Sequence, residues 1–374
     1  MAIDWDKLLE YQTVKVVKIR DKRLGILHLL FMLGIVIYII VGTIILQKRY
    51  LATENPIGSI RATLLAPKYR NPTPPYCTSS GNSTYNGYPT YECEYWDESL
   101  VLYPSTSDTS MFISTRVESE IQKTVNNCQF TSPTCTYATY NQSLFYIPDI
   151  ENFTIMLDHT VSAPNLGIQY NARQLPGRLL NSSGHVWTPP APNVVGVQSQ
   201  YDIMTVGTCL AAAGIYNLDG PSLSNASRSM RDDGVILLVF ITYSNTYTYN
   251  TNNFRYTYQF KVIKDTKFKA EEPIFTTDVN NRYVFDRHGV KMLFIQTGSI
   301  GKFDFQTMLL TFVSGIGLVT VSTIFVDILA VRLLPQKRLY AQYKYENVEE
   351  MDERNKVVYE NDNEDGAKTT VHNQ

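Results

Sequence analysis

What this chain of 374 residues lacks first is an imbalance of charge: 33 lysines and arginines stand against 35 aspartates and glutamates, a formal net charge of −2. Without a basic or acidic excess, it shows no footprint for nucleic acid or for acidic substrates. Catalytic signatures are missing too. No nucleophile elbow, no helix with paired metal-ligating histidines and no phosphate loop occurs, so an enzyme is not expected and no cofactor is called for. Cysteine is sparse. Cys77, Cys93, Cys128, Cys135 and Cys209 are an odd set that leaves at least one thiol unpaired. Their spacings do not suit zinc, and His159 and His185 stand isolated, so no metal site is expected.

What is present is apolar length. The run LGILHLLFMLGIVIYIIVGTIIL, 24–46, is interrupted only by His28 and Thr43, and at about 1.5 Å per residue it reaches the roughly 30 Å of a bilayer core. It starts too late, runs too long and lacks the small-residue pattern for a cleaved signal peptide. The run FQTMLLTFVSGIGLVTVSTIFVDILAVRLL, 305–334, is uncharged from Phe305 to Val326 and is expected to span as well. Lys7, Lys15, Lys18, Arg20, Lys22 and Arg23 precede the first span; Arg332, Lys337, Arg338 and Lys344 follow or close the second. Positive flanks favour the cytosol, so tails 1–23 and 335–374 are expected inside, the second acidic and disordered. Lys48, Arg49 and Lys302 vote the other way.

Residues 47–304 then form an ectodomain, extracellular or luminal. All five sequons, at Asn82, Asn141, Asn152, Asn181 and Asn225, fall in this interval, as do all the cysteines. Cys128 and Cys135 flank a short loop with Pro133 and are the preferred disulfide pair. The interval reads as β-rich. Strand-like runs are expected at 59–65, 99–104, 110–118, 151–157, 234–249, 254–264 and 290–298, with loops at 66–90 and 181–196. The clearest unit is 234–264, two strands joined by NTNN, whose asparagines tolerate the left-handed conformation of tight turns. In TNNFRYTYQF, Phe254, Tyr256, Tyr258 and Phe260 alternate with Arg255, Thr257 and Gln259, so Arg255 sits near the hairpin tip.

Two spans around a β-rich ectodomain fit a ligand-gated channel, a tethered ectoenzyme or an adhesion protein. The ectoenzyme reading fails on chemistry, since DGPS at 219–222 lacks the Asp-x-Gly phosphate pattern of the two-anchored ecto-apyrases. The second span carries Thr311, Ser314, Gly315, Gly317, Thr320, Ser322, Thr323 and Asp327. Small and hydroxylated residues allow close helix packing, and equally a pore. Asp327 would cost ~2.5–3.5 kcal/mol facing lipid at the bilayer centre, so it faces a bundle interior, water or a cationic partner, or else serves the helix end.

The ordered motifs resemble one family, the P2X receptors, trimeric ATP-gated cation channels. YQTVK (11–15) is similar to the family's cytosolic Tyr-x-Thr-x-Lys motif, here Tyr11, Thr13 and Lys15. GKFD (301–304), SG (314–315) and Asp327 follow at the family's spacing, and YAQYK (340–344) looks like its Tyr-x-x-x-Lys membrane-retention motif, Tyr340 and Lys344. The resemblance covers about 11–345. It implies a homotrimer, a two-helix-per-subunit pore involving Thr311, Ser314, Gly315 and Asp327, and a nucleotide site between subunits. Thr154 and Met156 of ENFTIM would contact adenine, and Asn253, Phe254 and Arg255 would help hold the triphosphate. A degenerin-type sodium channel shares the topology, but is cysteine-dense and has a Gly-x-Ser filter that SGIG does not supply.

The departures from the family pattern concern charge. Thr63 and Leu65 stand where the family has two phosphate-binding lysines, and Asp286 stands where a further lysine precedes RHGVK. Each charge-assisted phosphate contact is worth ~1.5–3 kcal/mol, so three losses cost several orders of magnitude in affinity. Arg61, Lys68, Arg70, Arg287 or Lys291 would have to substitute. The cysteine shortage looks like that of the amoeba members, which reside on the contractile vacuole with a luminal ectodomain; the plasma membrane is the other expected place. The alternatives kept are a subunit with lost or altered nucleotide sensitivity and a non-channel two-anchor protein.

Overall fold

The computed structural model describes residues 22–78, 83–104, 109–333 and 337–338. Tyr11, Thr13 and Lys15, the sequon Asn82, the pair Tyr340 and Lys344, and the tail beyond 338 lie outside these residues.

One compact unit holds both apolar helices and the other holds residues Ala52–Phe303. In the first, α1 runs over Lys22–Ile37 and continues as a π-helical stretch, Tyr38–Leu46; α4 runs over Phe305–Arg332. Both are long and apolar enough to cross a membrane. The start of α4 is set by Asp304, whose carboxylate accepts from the backbone N–H of Thr307 at 2.8 Å and its hydroxyl at 2.6 Å, satisfying an otherwise orphaned donor. Gly315, Ser322, Val326 and Ala330 form the buried face of α4. Gly315 is there because Ile39 is: a Cβ at 315 would lie 2.7 Å from Ile39 Cδ1. Phe31 and Phe325 meet edge to face at 5.3 Å.

The second unit is built on two sheets. Its main strands are β1 (Ile60–Leu65), β2 (Ser110–Thr124), β3 (Tyr137–Tyr146), β4 (Thr154–Ala163), β5 (Ile168–Asn171), β6 (Gly177–Leu180), β7 (Asp202–Thr205), β8 (Val235–Ser244), β9 (Arg255–Val262), β10 (Lys269–Phe275) and β11 (Asn281–Phe303). Short helices α2 (Val206–Ala212) and α3 (Met230–Asp233) interrupt them. The large sheet runs β6-β9-β8-β11-β2-β3, with β10 also on β11; the small one runs β7-β4-β1, with β5 also on β4. Every second residue of β8 is buried, Val235, Leu237, Val239, Ile241 and Tyr243, and β4 repeats the pattern from Ile155 to Ala163. These faces pack together as one core. At roughly 25 cal/mol per Å² of apolar surface removed from water, that burial is the main stabilising term.

The core contains a directional hydrogen-bond chain that holds β4 against β8 and β9. Tyr256 and Tyr258 both donate to Asp202 Oδ2, at 2.6 and 2.8 Å. Because the one hydrogen of Tyr258 is spent there, its oxygen accepts from His159 Nε2 at 2.7 Å, and His159 Nδ1 accepts from Tyr243 at 2.7 Å. Gln296 donates to Tyr243 Oη at 2.9 Å, and Asp202 Oδ1 takes the Gly196 N–H. Burial and the Asp202 charge push both Tyr256 and Tyr258 far above the usual phenol range, so they remain donors. His159, isolated in sequence, is a hub in space.

Several sequence expectations change in detail. Residues 99–104 are not a strand: Glu98–Val101 is a helical turn, because Asp97 accepts from the N–H groups of Ser99 and Leu100. The hairpin strands end earlier than their alternation, at Ser244 and Arg255, leaving a ten-residue loop whose asparagines are not left-handed. That loop is held by fully buried Asn245, which donates to Thr251 O and Gly301 O, both at 2.7 Å, and accepts from Gly301 N. Disulfides join Cys128 to Cys135 and Cys77 to Cys93, and Cys209 is a buried thiol.

Candidate ligand site and pore helix

The antiparallel ladder between β1 and β4 pairs Leu65 with Thr154 and Thr63 with Met156. Leu64 and Ile155 turn into the core, so their neighbours must turn outward. Leu65 is 59% exposed and Thr154 and Met156 are half-buried. On the other side of β4, Thr205 of β7 lies opposite Thr154 and Ile203 opposite Met156. Four residues that only a resemblance linked thus share one outward patch. It offers hydroxyls and apolar surface suited to a base, and no cation.

Cations predicted from sequence are dispersed. Arg287 is 3% exposed; its guanidinium donates to Leu100 O at 2.6 Å and pairs with Glu272, and it lies 5.0 Å from the Trp96 ring. Desolvation draws its pKa down against the pull of Glu272, and its fork is spent inside its own subunit. Lys291 lies over Phe268 at 4.6 Å, with its pKa lowered by desolvation. Asp286 sits in a row of carboxylates, opposite Glu271 on one side and Glu118 on the other. Lys269 bonds Glu271 at 3.1 Å and Asp286 at 3.2 Å, which raises its own pKa. His288 lies 3.6 Å from Asp286, but burial and Arg116 lower its pKa.

Arg255 is elsewhere. It pairs with Ser244, which pairs with Ser299, twelve positions along β11 from Arg287. At about 3.3 Å per residue that is roughly 40 Å, several times the length of a triphosphate, so one nucleotide cannot meet both from one subunit. The Phe254 ring lies 4.8 Å from that of Tyr170, tilted against it, and Tyr170 pairs with Val161, seven residues from Thr154 along β4, or roughly 20 Å. The Arg255 guanidinium lies 3.6 Å over the Tyr247 ring, and Asn253 is exposed in the loop. The alternation of Tyr256, Tyr258 and Phe260 is core packing.

On α4 the hydroxyls of Thr311, Ser314, Thr320 and Thr323 bond carbonyls of their own helix, while the buried Ser322 Oγ has no partner among the described residues. Ser314 donates to Leu310 O at 2.8 Å, and the single hydroxyl hydrogen of Thr311 is shared between Thr307 O at 3.0 Å and Arg49 O at 3.2 Å. Ser314 is exposed, Asp327 is half-buried, and Gly315 is committed to Ile39. Of the sequons, Asn141, Asn152 and Asn225 are exposed, while Asn181 accepts from the N–H groups of Ser183 and His185.

Comparison with known proteins fits this architecture. The family model described as ATP P2X receptor matches residues 9–143 and 228–347, more than half the chain. Among relatives, P2X receptor E of Dictyostelium discoideum is 58% identical over 92% of this chain and 89% of its own length. P2X receptor A of the same organism is 46% identical over 94% and 93%. Among solved structures, an invertebrate P2X receptor from the Gulf Coast tick, crystallised with ATP and Zn2+, superposes with a TM-score of 0.55 at 14% identity, over 81% of this chain and 99% of that one. Two apolar helices, the β-rich ectodomain between them and these relationships together establish that the chain belongs to the P2X receptor family, a family of membrane channels.

Proposed function

We propose that three copies of this chain form a cation channel, calcium among its permeant ions, opened by ATP bound on the ectodomain. The nucleotide base lies on the patch of Thr63, Leu65, Thr154 and Met156. The observation that carries this reading is the β1–β4 register, which sets Leu65 opposite Thr154 and Thr63 opposite Met156. Closing the site would draw the ectodomain strands outward and part the second helices. The ectodomain faces the lumen of the contractile vacuole or the cell exterior, with both tails in the cytosol. Asn253 and Arg255 join the site only as a neighbouring subunit's contribution. Patch recording of the purified trimer in liposomes tests the reading, with ATP applied on the ectodomain side. A cation current is expected; a protein that stays trimeric yet passes no current with any nucleotide sinks it.

A second reading has its own support in the row Glu271, Asp286 and Glu118, three carboxylates against the one bonded cation Lys269, where the family pattern has a lysine. On that reading, the channel answers to a ligand with little negative charge. Current evoked by a nucleoside but not by ATP distinguishes the two.

A further inference from the structure

Three cations, Lys48, Arg49 and Lys302, stand on the ectodomain side, against the tendency of positive charge to stay in the cytosol. Such charges need a local reason. Lys302 is spent within the ectodomain, where its ammonium donates to Leu166 O at 3.1 Å. Lys48 and Arg49 are placed differently. They follow Leu46, the last residue of the π-helical stretch, where a helix long enough to cross a membrane leaves the apolar layer.

The turn that carries them is fastened to both helices. Arg49 N–H donates to Thr43 O at 3.2 Å, the Thr311 hydroxyl of α4 reaches Arg49 O at 3.2 Å, and Asp304 N–H donates to Tyr50 O at 3.2 Å. Lys48 has φ 53°, the left-handed conformation that glycine usually supplies just past a helix end. A lysine there keeps a charge at the cost of backbone strain. Aromatic surface of the kind that lies at headgroup level is close in the chain, with Tyr50 half-buried and Phe305 62% exposed.

The Arg49 side chain is exposed. Among the described residues its guanidinium makes one hydrogen bond, from Nε to Gln47 Oε1 at 3.2 Å, and no carboxylate pairs with it. Asp304, which follows in the same hydrogen-bonded group, commits its carboxylate to the N–H and hydroxyl of Thr307. The two terminal nitrogens of the Arg49 fork are left without a protein acceptor.

We propose that Arg49 binds the phosphate of an anionic phospholipid in the leaflet on the ectodomain side. A planar guanidinium matches two phosphate oxygens at once, and its place at the end of a membrane-length helix brings it to the depth where headgroups lie. An anionic lipid is preferred to a zwitterionic one, whose own ammonium already balances its phosphate. Because Thr311 holds the turn, a headgroup bound at Arg49 braces the first apolar helix against α4. This site is separate from the ectodomain patch and does not depend on which ligand that patch takes.

Native mass spectrometry of the purified full-length trimer, titrated in detergent with phosphatidylglycerol or phosphatidylcholine, tests the assignment for the wild type, Arg49→Gln and Arg49→Lys. Arg49→Gln is expected to weaken phosphatidylglycerol about tenfold and phosphatidylcholine less than twofold, with Arg49→Lys between. Cytosolic lysines and arginines also attract anionic lipid, but equally in all three proteins, so the difference between variants reads this site alone. In phosphatidylcholine nanodiscs, wild type and Arg49→Gln should melt together, and added phosphatidylglycerol should raise the melting temperature of the wild type more. An unchanged phosphatidylglycerol affinity in Arg49→Gln overturns the proposal. So does displacement of the Arg49-dependent lipid by an equal concentration of inorganic phosphate, which would make this a site for a dissolved anion.

Discussion

Leu65 and Thr154 face each other across an antiparallel ladder, one exposed and the other half-buried, with their neighbours Leu64 and Ile155 turned into the core. This contact joins two chain segments almost ninety positions apart, and it makes position 65 the natural place to add charge beside the patch. Leu65→Lys sets an ammonium opposite Thr154 without disturbing packing. ATP affinity is expected to rise about tenfold, from one added contact of ~1.5 kcal/mol, read by titration of the trimer. An unchanged affinity would mean that the phosphates do not pass this strand.

Arg255 gives the opposite expectation. In its own subunit it stacks on Tyr247, roughly 20 Å from Thr154 along the strands. Because a neighbouring subunit would bring Arg255 to the site, Arg255→Ala should weaken ATP binding to the trimer about tenfold and lower stability by ~0.5–1 kcal/mol through the lost cation–π contact, seen as a small fall in melting temperature. An ATP affinity unchanged within about twofold would show that Arg255 stays outside the site.

Gly315 and Ile39 form a steric pair between α4 and the π-helical stretch that continues α1. Gly315→Val forces a Cβ to within 2.7 Å of Ile39 Cδ1, and overpacking of this kind costs ~1–3 kcal/mol. Less protein should survive detergent extraction as trimer, and Ile39→Ala in the same chain should restore it, the signature of direct coupling. Failure of the second change to compensate would locate the damage elsewhere, at a pore-facing surface of Gly315.

Cys209 gives a test with a pH axis. Burial pushes its thiol up to about 12, so the folded protein holds it protonated at pH 8, where an exposed cysteine is partly thiolate. Thiol-specific alkylation at pH 8 should therefore label one cysteine only after unfolding, with the disulfides Cys77–Cys93 and Cys128–Cys135 left unreduced. Rapid labelling of the native protein would contradict this burial.

The sequence by itself determined the coarse plan. Two long apolar runs leave the backbone no alternative to helices in lipid, and period-two alternation in 254–260 imposes a strand with one face in the core, whereas 235–243 is a nearly continuous apolar run whose alternate burial only the structure shows. Ordered motifs pointed to the family for the same reason: each is a local string. Charge loss at Thr63, Leu65 and Asp286 was equally legible, since a missing lysine is a fact of composition at a position. What only the tertiary structure decided is which distant residues meet. The carboxylate row beside Asp286 depends on the register of three strands. The interior role of Arg287 depends on Glu272 and on Leu100, a residue read from sequence as strand but placed by the Asp97 cap in a helical turn. His159 became a hub because Tyr243, Tyr258 and Asp202 converge on it from three other strands. Arg255 was separated from Thr154 by ladder registers that no spacing in the chain encodes. Local strings fix local geometry; long-range register is set by the packing of whole faces, so a binding site assembled across strands exists only once the sheets have formed.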